Sequence, residues 1–477
     1  MSKLKKNFIY NIIYQVLILL IPLITSPYLS RVVGVHGIGI YSYTYSIVYY
    51  FMLFCLLGLN NYGNRTIAKI RNNKEELSKT FMSIYIFQLF IGIIMLITYL
   101  IFTYFIFNKY RDISLIQSMF LISAVLDINW FFFGIEKFKL TISRNIFLKL
   151  LSLLFIFLFV KQPNDVWKYT IIMAGTTMLS QILMWFFLKK YICFKKVSLI
   201  DVFKHIKPNL ILFIPVVAVS LYKIMDKIML GLISNVNEVG YYENAEKIIN
   251  IPLAIISALG IVMLPRISNI LASGEKKLMI KYINNSIIFT IFLSLAMTFG
   301  LAAVGYNFAP LFFGKDFLKT GVLIVLLSIT IPFIAFANVI RTQYLIPSEK
   351  DIIYIKSVFL GALLNLLLNL IFIPIFNSVG ACIGTIAAEI GVMFYQSFAI
   401  RKELPIKEYL IRTIPFLIKS IIMFVIIYLF NYINMNNLIR LFIQISLGCL
   451  IYGLLNIKYI TSIINIKKIF HRKKEIK

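Results

Sequence analysis

The sequence predicts an all-α integral membrane protein with about fourteen transmembrane helices. Three observations carry that expectation. Of 477 residues, 60% are hydrophobic and only 14% are charged, with a mean hydropathy of +0.88, whereas a soluble domain runs to roughly 45–50% apolar and about 25% charged. Apolar runs of the length that crosses a bilayer, ~20 residues, recur along the whole chain. The ten-residue alternation of a membrane β-barrel is absent, which excludes that architecture.

The chain begins with Lys3, Lys5 and Lys6, followed by an uncharged run over 7–30. That run is too long for the apolar core of a signal peptide and reads as the first membrane helix. Further spans are expected at 40–63, 80–107, 113–135, 145–160, 167–188, 209–232, 240–264, 283–312, 320–340, 352–375, 379–400, 409–430 and 437–457. Two depart from the ideal pattern. The span 145–160 is short and holds Lys149, and 240–264 opens with Glu243, Glu246 and Lys247.

The net charge of +29 comes from 48 Lys and Arg against 19 Asp and Glu. In a soluble protein such an excess would suggest nucleic acid. Sorted by alternate loops, with the N-terminus inside, 33 basic residues fall on the inner side and 6 on the outer. This is the positive-inside bias. It predicts an even number of spans with both termini cytoplasmic, and it removes the reason to invoke nucleic acid as a partner.

The same map narrows function. No loop exceeds about 20 residues, so there is no room for a soluble catalytic domain between spans. A Gly-rich phosphate loop ending in Lys-Ser/Thr is absent. His36, His205 and His471 are scattered, and Cys55, Cys193, Cys382 and Cys449 form no C-x-x-C pair. No catalytic set, no metal site and no bound cofactor is therefore expected.

Six spans followed by six in the same orientation suggest parallel repeats. Residues 1–190 would form an N-terminal lobe, 191–208 a basic cytoplasmic linker, 209–400 a C-terminal lobe, and 401–477 an appended helix pair with a basic cytoplasmic tail. One short echo supports the repeat: Gly39-Ile40-Tyr41 matches Gly240-Tyr241-Tyr242 at an offset of 201. Transporters built this way place the substrate between lobes, near the midplane.

Charged residues inside spans are then the informative ones, because a charge at the bilayer centre costs ~2.5–3.5 kcal/mol on insertion scales. The densest cluster is Lys223, Asp226 and Lys227, which share one helical face. Asp127 and Glu389 are the other acidic candidates for ion coupling. Arg31, Arg65, Arg266 and Arg341 lie near span ends, where they serve either as topological anchors or as forks for an oxyanion. Gly380 and Gly384 have the spacing of close helix packing.

Three stretches carry a family resemblance. They are Leu221-Tyr-Lys-Ile-Met-Asp-Lys-Ile-Met-Leu-Gly231, then Glu238-Val-Gly-Tyr-Tyr-Glu-Asn-Ala-Glu-Lys247, and Met263-Leu-Pro-Arg-Ile-Ser268. Together with Pro27-Tyr-Leu-Ser-Arg-Val-Val-Gly34, Gly37-Ile-Gly-Ile-Tyr41, Asn61-Tyr-Gly-Asn-Arg65 and the run from Asn377 to Glu389, they resemble the polysaccharide (Wzx-type) flippases of the MATE-like MOP exporter superfamily. The resemblance implies two six-helix lobes around a central cavity plus two C-terminal helices. It implies a substrate, an undecaprenyl-diphosphate-linked oligosaccharide, moved from the inner to the outer leaflet of the bacterial cytoplasmic membrane. Polysaccharide polymerase machinery is the implied partner.

Under that resemblance Arg31, Arg65, Lys223, Lys227, Arg266 and Arg341 become candidate diphosphate contacts. Asp127, Asp226 and Glu389 become candidates for coupling to an H⁺ or Na⁺ gradient; the membrane potential is the alternative energy source. Two rivals follow from the residues. A multidrug cation exporter conflicts with a basic cavity, and a membrane-embedded polymerase or glycosyltransferase wants a larger outer loop.

Overall fold

The computed structural model describes residues 20–193 and 195–462. Among them every regular element is a helix. Residues 20–32 form the described part of α1. There follow α2 (Gly34–Leu56), α3 (Leu59–Ile70), α4 (Lys74–Phe105), α5 (Arg111–Val125), α6 (Asn129–Gly134), α7 (Phe138–Phe159), α8 (Val166–Leu188) and the short α9 (Leu199–Phe203). The chain continues through α10 (Ile206–Ile233), α11 (Val236–Ala272), α12 (Lys276–Phe313), α13 (Leu318–Ser328), α14 (Thr330–Ile340), α15 (Asp351–Phe376), α16 (Ser378–Ala399), α17 (Ile406–Leu429) and α18 (Asn437–Leu455).

Eleven helices among the described residues are long and apolar enough to cross a membrane, and twelve if the pair Lys315–Ser328 and Thr330–Leu345, bent by 40°, counts as one span. The expected fourteen is thus not reached by this measure. The seventh expected span falls on α10, which is outside that count, and most of the first lies outside the described residues. Some boundaries follow the sequence closely, 167–188 falling on α8 (Val166–Leu188) and 379–400 on α16 (Ser378–Ala399). Others shift: 145–160 falls on α7 (Phe138–Phe159), 240–264 on the longer α11 (Val236–Ala272), and 40–63 covers parts of both α2 and α3, because helices run on past the apolar window that marks a span.

Helix ends are set by local chemistry. Asn73 caps α4, its Oδ1 accepting from the backbone N of Glu75 at 3.1 Å and Glu76 at 3.2 Å. Those two carboxylates also lie in the first turn, where they oppose the positive end of the helix dipole. Gly34, at φ +69°, breaks α1 from α2 in a left-handed conformation that an L side chain resists.

The fourth span is interrupted between α5 and α6, which frees backbone carbonyls that must be satisfied inside a membrane protein. Gln88 of α4 does most of this, its Nε2 donating to Ala124 O at 2.9 Å and Asp127 O at 2.8 Å. Trp185 Nε1 donates to Leu126 O at 3.0 Å, and Trp130 Nε1 to Gln88 Oε1 at 3.0 Å. Trp130 is fully buried in a core with Phe81, Phe131 and Ile67.

The chain divides into two compact units, residues 1–243 and 244–477. In the second, α15 and α16 pack through glycines as the spacing suggested. A Cβ on Gly380 would sit 2.2 Å from Phe372 O, and one on Gly384 2.2 Å from Asn369 Oδ1.

Candidate functional site

The first unit holds an unusually close helix crossing. A Cβ on Gly39 of α2 would lie 1.8 Å from Val236 O, and one on Gly240 of α11 would lie 2.3 Å from Val35 O. Glycine is required at both positions, since only hydrogen leaves room for the opposing carbonyl. The two contacts are images of one another: adding 201 to 35 gives 236, and adding it to 39 gives 240. Residues separated by 201 also lie opposite each other at this crossing. Such pairs are bonded: His36 Nδ1 with Asn237 Oδ1 at 3.0 Å and Ser42 Oγ with Glu243 Oε2 at 2.8 Å. The Gly-x-Tyr echo in the sequence therefore marks the point where the start of α2 crosses the start of α11.

Helix α10 completes the site. Gly231 lies against the Tyr43 ring, where a Cβ would sit 2.2 Å away. One face of α10 then presents two successive polar residues to α11. Tyr242 donates its hydroxyl to Asp226 Oδ2 at 2.7 Å. Lys227 Nζ forms an ion pair with Glu243 Oε2 at 3.0 Å, the two side chains being 14% and 19% exposed. Ser42 and Lys227 thus converge on one carboxylate oxygen from different helices. Aromatic rings flank them: Tyr41 packs against Tyr169 at 4.5 Å and stacks with Tyr45 at 5.9 Å.

The other sequence candidates take varied positions. Lys223, one turn before Lys227, is exposed, as are Arg31 at the end of α1 and Arg65 on α3. Asp226 is 2% exposed. Asp127 lies just before α6, its Oδ1 accepting from Asn129 N at 2.8 Å. In the second unit, Arg266 is exposed, with its guanidinium 4.4 Å over the Tyr282 ring. Arg341 lies 5.5 Å over Tyr354, within a π-helical turn spanning Arg341–Leu345. Glu389 is buried on α16.

Sequence reasoning missed three residues of note. Glu243 reads from the sequence as a charge at the start of a span, with nothing local to place it in the site. Its signal was available: Ser42 and Glu243 each lie three residues after the glycine of the repeated Gly-x-Tyr. Arg144 was assigned to an inner loop, yet it is buried on α7, with Nη1 donating to Ser180 O at 3.0 Å and Nη2 to Asn129 Oδ1 at 3.0 Å and Asn145 Oδ1 at 2.7 Å. His205, which belongs to no sequence motif, is buried between Tyr62 and Ser83.

Long apolar helices, a broken span with its carbonyls held by side chains, and a paired charge cluster between helices define a multi-pass membrane protein of transporter build. The chain belongs to the polysaccharide biosynthesis protein family, whose profile matches residues 4–271. It is 25% identical over 391 residues to a protein of Escherichia coli (strain K12) named "Putative O-antigen transporter", covering 81% of this chain and 94% of that one. It is also 25% identical over 240 residues to the "Probable low-salt glycan biosynthesis flippase Agl15" of Haloferax volcanii, about half of each chain. Among solved structures, its fold is similar to the lipid II flippase MurJ in an inward closed conformation, with a TM-score of 0.78 at 19% identity over 96% of this chain and 99% of that one. It is similar also to an inward-facing MATE-family multidrug transporter, at a TM-score of 0.59 and 13% identity over 82% and 98% of the two chains. Membership of the polysaccharide biosynthesis family, as the sequence resemblance implied, is thereby established, and these relatives are named as transporters and flippases rather than enzymes.

Proposed function

We propose that the protein moves an oligosaccharide linked to undecaprenyl diphosphate from the inner to the outer leaflet of a bacterial cytoplasmic membrane, for surface polysaccharide synthesis. Membership of the polysaccharide biosynthesis family, together with near full-length alignment to a protein named as an O-antigen transporter, is the observation that carries this reading. Physical chemistry agrees with it. A sugar diphosphate cannot enter hydrocarbon, and a pathway lined by basic groups substitutes for its hydration. Lys227 supplies such a group, with Lys223, Arg31, Arg65, Arg266 and Arg341 as the remaining candidates. The polyprenyl tail stays in lipid.

Translocation follows alternating access, by rocking of an N-terminal lobe (1–190) against a C-terminal lobe (209–400). The basic linker 191–208 and both termini lie on the cytoplasmic side, by the charge bias. ATP is not needed: carrying two negative charges outward across an inside-negative membrane gains about 4.6 kcal/mol per 100 mV if the charge is uncompensated. Coupling to H⁺ or Na⁺ is the alternative, with Asp127, Asp226 or Glu389 as the titrating or coordinating group.

Depletion of the protein in a glycan-producing cell, with leaflet-resolved assay of lipid-linked units, tests this. Accumulation on the cytoplasmic side is the expected result. Unpolymerised units on the outer side would instead identify a polymerase and overturn the proposal.

A further inference from the structure

We propose that Glu243 is an internal stand-in for the substrate's anion: it occupies Lys227 in the resting protein and is displaced when a phosphate oxygen arrives. The inference rests on the functional reading above and deepens it, by naming how the site senses its ligand. Four observations support it. The Glu243 carboxylate oxygen accepts from Lys227 Nζ at 3.0 Å and from Ser42 Oγ at 2.8 Å. A phosphate oxygen offers a lysine the same acceptor, and the ammonium is a compact charge that accepts either without directional preference. Both partners are largely withdrawn from water, so neither is released cheaply unless another charge replaces it. Finally, the Ser42–Glu243 bond, like His36–Asn237, joins positions 201 apart across the Gly39–Gly240 crossing.

Those facts make binding and unlatching one event. An incoming anion that takes Lys227 frees Glu243, and a freed Glu243 has lost the ammonium that held it beside Ser42. The crossing of α2 with the start of α11 then keeps His36–Asn237 but loses the charge that fixed its other side. An uncharged lipid cannot make this exchange, so the pair also selects for an anionic headgroup. Asp226 stays in place through Tyr242, one residue away along each helix.

Binding of geranylgeranyl diphosphate to the full-length protein in detergent tests the exchange, with geranylgeraniol as the uncharged control. Glu243→Gln removes the competitor and is expected to tighten binding of the diphosphate roughly ten-fold, without effect on the alcohol. Lys227→Met is expected to abolish the preference for the diphosphate. The double variant Lys227→Met/Glu243→Gln restores charge balance and guards against misfolding of either single change; it should bind as weakly as Lys227→Met. Unchanged or weaker binding by Glu243→Gln at wild-type thermal stability overturns the exchange alone, as does wild-type binding by the double variant. A wild-type protein that does not distinguish diphosphate from alcohol overturns the functional reading as well.

Discussion

His205 illustrates how a single side chain acquires a role that its sequence neighbours do not announce. Its Nδ1 lies 2.6 Å from Tyr62 Oη and its Nε2 2.8 Å from Ser83 Oγ, so both ring nitrogens are engaged by α3 and α4. Burial, reinforced by Lys204 and opposed by Asp201, lowers its pKa from 6.5 to about 4. Nearby, Lys79 and Lys204 hold the Asp201 carboxyl well below the usual carboxylate range. An unfolded chain therefore binds a proton at His205 between those two values while the folded chain does not, and stability is full above pH 6.5 and falls as pH drops toward 4. The thermal unfolding midpoint in detergent should be lower at pH 5 than at pH 7, and His205→Asn should remove most of that difference. An equal pH dependence in the variant would show that other groups control it. This clamp, with the Asp201–Lys79 pair at 2.9 Å and Cys193 N donating to Ser78 Oγ at 3.0 Å, ties the basic stretch around 193–205 to α4. From sequence that stretch reads only as a linker, because its partners lie more than a hundred residues away.

Elements were more legible than residues. Apolar runs set where helices form, and caps such as Asn73 set where they begin. What the pattern did not show is the break between α5 and α6, since the residues that satisfy the freed carbonyls, Gln88 and Trp185, belong to other helices. The Gly39–Gly240 crossing is intermediate. Its sequence echo was visible, but a three-residue match shows no contact until two backbones are brought together. Gly39→Val should force α2 and α11 apart, because even a single Cβ meets Val236 O at 1.8 Å. The check is the yield of a disulfide between His36→Cys and Asn237→Cys, which should form readily in the parent and fall in the Gly39→Val background. Gly300→Ala, where nothing lies within 4 Å of the new Cβ, should leave that yield unchanged.

For the whole molecule, the same cysteine pair gives a functional prediction. If transport requires the crossing to open, oxidising His36→Cys/Asn237→Cys should stop export of lipid-linked glycan, and reduction should restore it. Export at the parent rate with the cross-link fully formed would exclude opening at this point. The parent's own cysteines divide into two buried, Cys55 and Cys382, and two exposed, Cys193 and Cys449, so the exposed pair needs replacing first.

By itself, the sequence determined the solvent of this protein, the approximate place of most of its long apolar helices and its family. Those properties follow from hydropathy, capping and local motifs, which act over a few turns of chain. The tertiary structure alone decided which intramembrane charges are paired. It joined Lys227 to Glu243, Asp226 to Tyr242 and Ser42 to Glu243, bonded Asp127 to the backbone of Asn129, and buried Arg144 where the sequence predicts an inner loop. A charge in a span must find a partner, but the partner is chosen by how helices cross, and that depends on packing between residues as much as 201 positions apart.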